Sequence, residues 1–325
     1  MPIQERFLYH CWPRRGRNSA NACEKGLQVL SSVRDSGLLL TPEIVPWNYP
    51  HADGSVPRVE RILQRRVCFT ELVPSELQGH AVEFGRFALE FTTHNVRKLG
   101  GIPVFYIPTL AQTEGATLED LGAMLVIQLL DAKRLADRIS VVNDTFNRNK
   151  AVSEIEFCFN FAENPKAEGK FKLQAEEAKR TLAAVTHGIT PSPMLGEGIN
   201  AALSFFYPAD NHHHSKELSY YQQREWRITG NIALRGVNVM RNVEPQEVKI
   251  LLGLDPEFFG KKLSLPPKEF PLLSESLMYP GFEGKHMMEF VNRVIVPASA
   301  VEEAKAILQK LDRPPTVVPL ETLAG

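Results

Sequence analysis

The stretch Arg65 to Phe91, RRVCFTELVPSELQGHAVEFGRFALEF, constrains the fold more than any other part of the chain. Val67, Phe69 and Leu72 form a short run rich in β-formers, which predicts a strand. Pro74 and Ser75 then open a helix, with Ser75 placed to cap free backbone N–H groups. Gly85 ends that helix. Phe87, Leu89 and Phe91 alternate with Arg86, Ala88 and Glu90, the period of a second strand. A third strand is expected over Pro103 to Pro108. Thr70, Glu71, His80, Glu83 and Arg86 fall at or near element ends, where binding groups are commonly carried.

The remaining elements are read around this unit. Arg6 to Trp12 predicts the first strand. A helix follows, with Ala22, Gly26, Leu27, Leu30 and Val33 at helical spacing and a stop at Ser36-Gly37. Leu38 to Leu40 is a short buried run, and the Pro-, Asn- and Gly-rich segment from Thr41 to Val59 is expected to be a loop. Thr92 and Thr93 start a short helix. Thr117 to Asn143 carries a wide apolar stripe behind a capped, acidic first turn, which predicts a long helix. Phe157 to Phe161 fits a strand or a bend, Lys166 to His187 a helix with a charged face, and Pro191 to Ser215 an irregular segment. Strands are expected over Arg224 to Thr229 and Val248 to Leu252. Pro256 to Lys262 is expected to be a turn or short helix, Val291 to Pro297 a strand, Ala298 to Leu311 an amphipathic helix, and Thr316 to Leu320 a last strand. Strands at both ends and helices between them predict a single α+β domain over residues 1–325. Its sheet is expected to be mixed and largely antiparallel, with a mainly helical insertion or subdomain at 117–207.

Of the 325 residues, 43% are apolar and 23% charged, the profile of a globular chain rather than a disordered one. The 37 basic and 38 acidic residues nearly cancel, so no broad positive field exists for gripping nucleic acid. A local patch of Arg61, Arg65 and Arg66 with Arg14, Arg15 and Arg17 is the remaining nucleic-acid candidate. Cys11, Cys23, Cys68 and Cys158 match no zinc spacing and are expected to be small buried groups in a reducing cytosol. No apolar run approaches the ~20 residues that span a bilayer, and no leader pattern is visible, so a cytoplasmic location without membrane contact is expected.

Four constellations could carry chemistry. In Arg224-Glu225-Trp226-Arg227, Glu225 and Arg227 project to one strand face, and the neighbouring positive charge favours an ionised carboxylate. A catalytic carboxylate and a plain ion pair on a sheet face both fit. Tyr9-His10, followed by Arg14 and Arg15, could hold a ribose and a pyrophosphate, while a structural His10 is the alternative. Thr70 at its strand end could touch a ligand, with His80, Glu83 and Arg86 nearby, and a Glu83–Arg86 salt bridge is the plainer use. His212, His213 and His214 are adjacent and do not share a face on a helix or strand. They are expected to form a mobile polar loop, and no metal is expected. Phosphate-loop, nucleophile-elbow, HExxH and convincing GxGxxG signatures are absent.

Val67-Cys-Phe-Thr-Glu71, Leu77-x-x-His80, Phe84-Gly-Arg-Phe87, Gly101-Ile-Pro-Val-Phe-Tyr106 and Arg224-Glu-Trp-Arg-Ile228 together resemble the AbiGi family of bacterial abortive-infection phage-defence proteins, described as antitoxins. The resemblance covers about the first 110 residues and the strands after Tyr220. It implies a role in phage resistance, with a cognate toxin or a phage protein as partner, and brings no catalytic residues with it. A second similarity is at the level of fold. A strand bearing His10, then a helix ending in Val33-Arg-Asp-Ser-Gly-Leu38, is similar to the start of DarT-like and RNA-phosphotransferase-like ADP-ribosyltransferases. Those enzymes use a late strand glutamate to polarise a ribose hydroxyl of NAD. By that similarity Glu225 would be the catalytic carboxylate, His10 would contact a ribose, Arg14 or Arg15 the pyrophosphate, and Tyr9, Thr70, Tyr106 and Arg227 would line the NAD pocket. The rival expectation is a non-enzymatic antitoxin or regulator that binds a protein partner, with Glu225 and its arginines stabilising the sheet.

Overall fold

A computed structural model describes residues 5–13, 21–49, 58–107, 124–135, 153–161, 164–186, 192–208, 224–230 and 239–323. Arg14, Arg15, Arg17 and the His212 to His214 run lie outside the described residues, as do the flanks of the long helix expected at Thr117 to Asn143. The chain divides into two compact units, residues 1–124 with 204–325, and residues 125–203.

In the first unit the chain runs β1 (Phe7–Trp12), α1 (Ala22–Ser36), β2 (Leu38–Tyr49), β3 (Arg58–Leu72), a 3-10 turn (Pro74–Glu76), α2 (Leu77–Phe84), β4 (Phe87–Phe91), α3 (Thr93–Lys98), β5 (Ile102–Pro103) and β6 (Phe105–Ile107). The second unit holds a helix at 124–135, a hairpin of β7 (Glu154–Phe161) and β8 (Asn164–Gln174), and helices at Ala175–Thr186 and Ser192–Phe205, the last ending at the unit boundary. The first unit resumes with β9 (Phe206–Pro208), β10 (Glu225–Thr229) and β11 (Arg241–Asn242). After a helix at Pro245–Leu254 come β12 (Lys262–Leu265), β13 (Lys268–Pro271), β14 (Leu277–Tyr279), β15 (Gly281–Phe282), β16 (Lys285–His286), β17 (Arg293–Val296), a helix at Val301–Leu308 and β18 (Thr316–Pro319).

The fold is α+β. Among the described residues ten strands join in one mixed, mostly antiparallel sheet, in the order β11-β14-β2-β3-β1-β4-β17-β18, with β10 on β3 and β5 on β10. Only β17 and β18 run parallel within it. Arg66 of β3 pairs with both Thr41 and Thr229, and Thr70 pairs with both Tyr9 and Glu225. A residue has one partner per edge, so β2 and then β1 occupy one edge of β3 while β10 takes the other.

Strand alternation sorts the side chains into two faces. On one, Leu8, Trp12, Val67, Phe69, Leu89 and Phe91 pack with Leu27, Leu30 and Val33 of α1 and with Ala304 and Leu308. Helix α1 lies so close that a Cβ on Gly26 would sit 2.2 Å from the Phe87 ring, and the Gly26 carbonyl accepts the Trp12 indole N–H at 2.9 Å. On the other face Tyr9, Cys11, Ala88 and Ile295 pack with Leu77 and Ala81 of α2. Gly85 ends α2 at φ +108°, where L side chains are strained. All five residues of β4 are buried, so Ala88 and Glu90 do not face solvent as simple alternation would have them.

Several expectations are corrected. The loop expected from Thr41 to Val59 is largely strand. Beyond Leu40 nothing described pairs with the outer edge of β2, and Pro42 and Pro46 lie on that stretch, where an edge strand tolerates a missing N–H. The charged helix expected from Lys166 is a strand to Gln174, because Phe171 and Leu173 alternate with Lys170, Lys172 and Gln174, and Lys172 pairs with Glu154 across the hairpin. The irregular segment from Pro191 contains a helix and β9. Val248 to Leu252 is helical, since Pro245 starts a helix whose first turn is closed by Glu247 accepting from the Glu244 N–H at 2.8 Å. The strand expected from Pro103 splits into β5, which joins β10, and β6, which pairs in parallel with β9. Ser75 does not cap α2: it lies within the 3-10 turn that leads into the helix, and that turn is closed by the Glu76 carboxylate, which accepts from Val73 N–H at 3.0 Å.

Candidate functional site

Six residues stand side by side across six strands: Glu225 on β10, Thr70 on β3, Tyr9 on β1, Glu90 on β4, Arg293 on β17 and Thr316 on β18. All are polar or amphipathic, and all project to the α2 side of the sheet. Thr70 is half-buried and Thr316 exposed, but burying Tyr9, Glu90 and Glu225 is costly unless they are paired, and two separate clusters do the pairing.

The first is built on Glu225. Its Oε1 accepts from Arg227 Nε at 2.8 Å, and its Oε2 from Tyr106 OH at 2.7 Å and Arg227 Nη2 at 3.3 Å. The Glu225 side chain is 11% exposed and that of Arg227 1%. Arg227 Nη1 and Arg66 Nη1 both donate to Gln64 Oε1, at 3.2 and 2.8 Å, and the Gln64 amide donates to the Phe206 carbonyl. Arg66 also pairs with Glu43, whose other oxygen accepts from Tyr207 OH at 3.0 Å. The two guanidinium groups lie 4.9 and 4.5 Å from the Tyr207 ring centre. Burial acts to raise the Glu225 pKa, but Arg227, by charge and hydrogen bond, with Arg66 and the Cys68 thiol, outweighs it and holds the carboxyl down at about 2. Burial and then the Glu225 charge push the Cys68 thiol up to about 11, and the same two causes raise Tyr106. At neutral pH the cluster is therefore an ionised carboxylate among neutral hydroxyl and thiol donors and cationic guanidinium groups.

Arg224, just before Glu225, takes φ +43°, a conformation costly for a non-glycine residue. It is held there by its carbonyl, which accepts from Glu71 N–H, and by an ion pair with Glu76 at 2.8 Å. Trp226 turns to the core side, with its indole donating to Glu71 at 3.0 Å.

The second cluster is built on Glu90, which is wholly buried. It accepts from Tyr9 OH at 2.7 Å, Asn292 Nδ2 at 2.6 Å, and Arg293 Nε and Nη2 at 2.7 and 2.5 Å. Burial, and after it the Glu90 hydrogen bond, raises the Tyr9 pKa.

Of the residues expected to form a site, Tyr9, Thr70, Tyr106, Glu225 and Arg227 reach this one face. His10 does not. Because Tyr9 pairs with Thr70, alternation sends His10 to the opposite face, 5.9 Å from the Phe69 ring and 6.2 Å from Trp12. There its Nδ1 lies 2.8 Å from the Cys68 carbonyl, at the point on β3 where β2 has ended and β1 has not begun. His80 stacks on Phe84, and Arg86 pairs with Glu321. Arg14 and Arg15 are outside the described residues. The sequence reading missed Glu43, Gln64 and Tyr207, and named Arg66 only in a nucleic-acid patch. Gln64, Arg66, Cys68 and Thr70 alternate along β3, a signal that was present, whereas Glu43 and Tyr207 fall in segments expected to be irregular. Among the described residues no group of His, Cys, Asp and Glu is arranged to hold a metal, and no helix is long and apolar enough to cross a membrane.

The protein is thus of the α+β class, with two buried carboxylate clusters on one face of its sheet. The family follows from comparison. A family model described as "Putative abortive phage resistance protein AbiGi, antitoxin" matches residues 59–250, more than half of the 325 residues, and the chain belongs to that family. The match spans Gln64, Arg66, Tyr106, Glu225 and Arg227, and it assigns the chain to abortive-infection phage defence. No curated protein and no solved structure matches it.

Proposed function

We propose that this chain serves phage defence as a non-enzymatic antitoxin that restrains a cognate toxin by protein contact. The observation that carries the reading is the commitment of Glu225: both oxygens are occupied by Arg227 and Tyr106 in a largely buried setting. A glutamate that polarises a ribose hydroxyl needs an oxygen open to that hydroxyl. The separation of His10 onto the other sheet face points the same way. The test is growth rescue. In cells expressing the cognate toxin, the wild-type chain and a folded Glu225→Gln variant are expected to rescue equally. Loss of rescue by a Glu225→Gln variant whose melting curve matches wild type would count against the reading.

A second reading, an ADP-ribosyltransferase-like cleft with NAD as co-substrate, draws on one observation: Tyr9, Thr70, Tyr106, Glu225 and Arg227 share a face. In the arrangement described, these residues do not fit NAD without Tyr106 or Arg227 releasing the carboxylate. Release of nicotinamide from NAD, abolished by Glu225→Gln, would favour it.

A further inference from the structure

We propose that a cleft of about 710 Å³ beside the Glu90 cluster binds a carboxylate that carries an apolar body. The inference goes beyond both readings above and uses none of the Glu225 cluster. Its polar floor is Arg293. Glu90 grips this guanidinium through Nε and Nη2, and Nη1 takes no part in that grip. The Arg293 side chain keeps 27% of its surface exposed while Glu90 keeps none. The pair is thus an oriented dipole, negative end buried and positive end toward the cleft. Two of the three guanidinium nitrogens are already fixed, so little side-chain freedom remains to be lost on binding. The exposed residues Ser75 and Thr316 line the same cleft and supply hydroxyl donors. Phe7, Val73 and Leu323 line it with apolar surface, and the Phe7 ring centre lies 5.6 Å from the Arg293 guanidinium. The volume falls in the range of small-ligand sites. Glu5, exposed at the lining, opposes a bound anion.

A carboxylate of this kind can be a free small acid or the last residue of a polypeptide. Calorimetry on the full chain separates the two with four probes: N-acetyl-leucine, its amide, an octapeptide ending in a free leucine, and that peptide's amide. Each acid is expected to bind at least about tenfold more tightly than its amide, the worth of one charge-assisted hydrogen bond. A peptide that exceeds N-acetyl-leucine by a hundredfold assigns the cleft to a polypeptide terminus, and equal affinity assigns it to small acids. Arg293→Gln unpairs the buried Glu90 and endangers the fold, so other variants carry the test. Ser75→Ala and Thr316→Val are expected to weaken binding several-fold, and Glu5→Gln to tighten it two- to fivefold. Equal binding of acid and amide, no binding of any probe, or weaker binding by Glu5→Gln would each overturn the proposal.

Discussion

The two carboxylates on the α2 face of the sheet are built from the same parts and placed differently. Glu225 and Glu90 each take a tyrosine hydroxyl and an arginine, and they stand three strands apart, roughly 14 Å at ordinary strand spacing. Arg227 is 1% exposed and shares its second hydrogen-bonding arm with Gln64 and, through it, Arg66 and Glu43. Arg293 is 27% exposed and opens on a cleft. The Glu225 cluster is a closed network in which every charge has an internal partner, whereas the Glu90 cluster buries its carboxylate and leaves its cation at the surface. The difference separates a device that fixes strand positions from one that can still meet a ligand.

The comparison is broken most forcefully by removing each cation. Arg293→Met leaves the wholly buried Glu90 with Tyr9 and Asn292 and without its cation, and is expected to cost about 3–5 kcal/mol. Arg227→Met leaves Glu225 with Tyr106, Cys68 and the positive charge of Arg66, and is expected to cost about 2–3 kcal/mol. Urea unfolding of both variants measures the gap, and equal losses would erase the distinction.

Acid sharpens it next. The Glu225 pKa is lowered from 4.5 to about 2, so its contribution is complete above pH 4.5 and is lost as pH falls toward 2. Glu247, held down at about 2 first by its hydrogen bond from Arg241, adds to the same window. The readout is therefore the difference between wild type and a Glu225→Gln/Arg227→Met double variant. Wild type should lose more stability between pH 4.5 and 2.

Smaller effects follow from the hydroxyls. Tyr106→Phe and Tyr9→Phe each remove one bond to a carboxylate and are expected to cost about 1.5–3 kcal/mol by thermal or urea unfolding. Thr229 reverses the sign. It is wholly buried on the Arg66 side of β10, and its Oγ1 has no partner among the described residues. Thr229→Val is expected to be neutral or to stabilise by about 1 kcal/mol.

The strand–helix–strand centre was legible because its periods change where Pro74 and Gly85 stand. The Glu225–Arg227 pair was legible too, because a two-residue step on a strand keeps one face. His10 was misplaced because a strand residue's face depends on its register against β3, and no local signal fixes that register. Glu90 was readable as a lone acid within Phe-Ala-Leu-Glu-Phe, but its partner Arg293 lies 203 residues away and announces nothing. The long β2 was hidden by Pro42 and Pro46, which an outer edge tolerates and a propensity reading does not.

The most direct test of the central claim, that Glu225 is committed internally, is a calorimetric titration of the chain with NAD alongside an assay for free nicotinamide. Wild type is expected to release no nicotinamide, and NAD binding is expected not to differ between wild type and Glu225→Gln. Binding and release by wild type, with release lost in a folded Glu225→Gln variant, would contradict it.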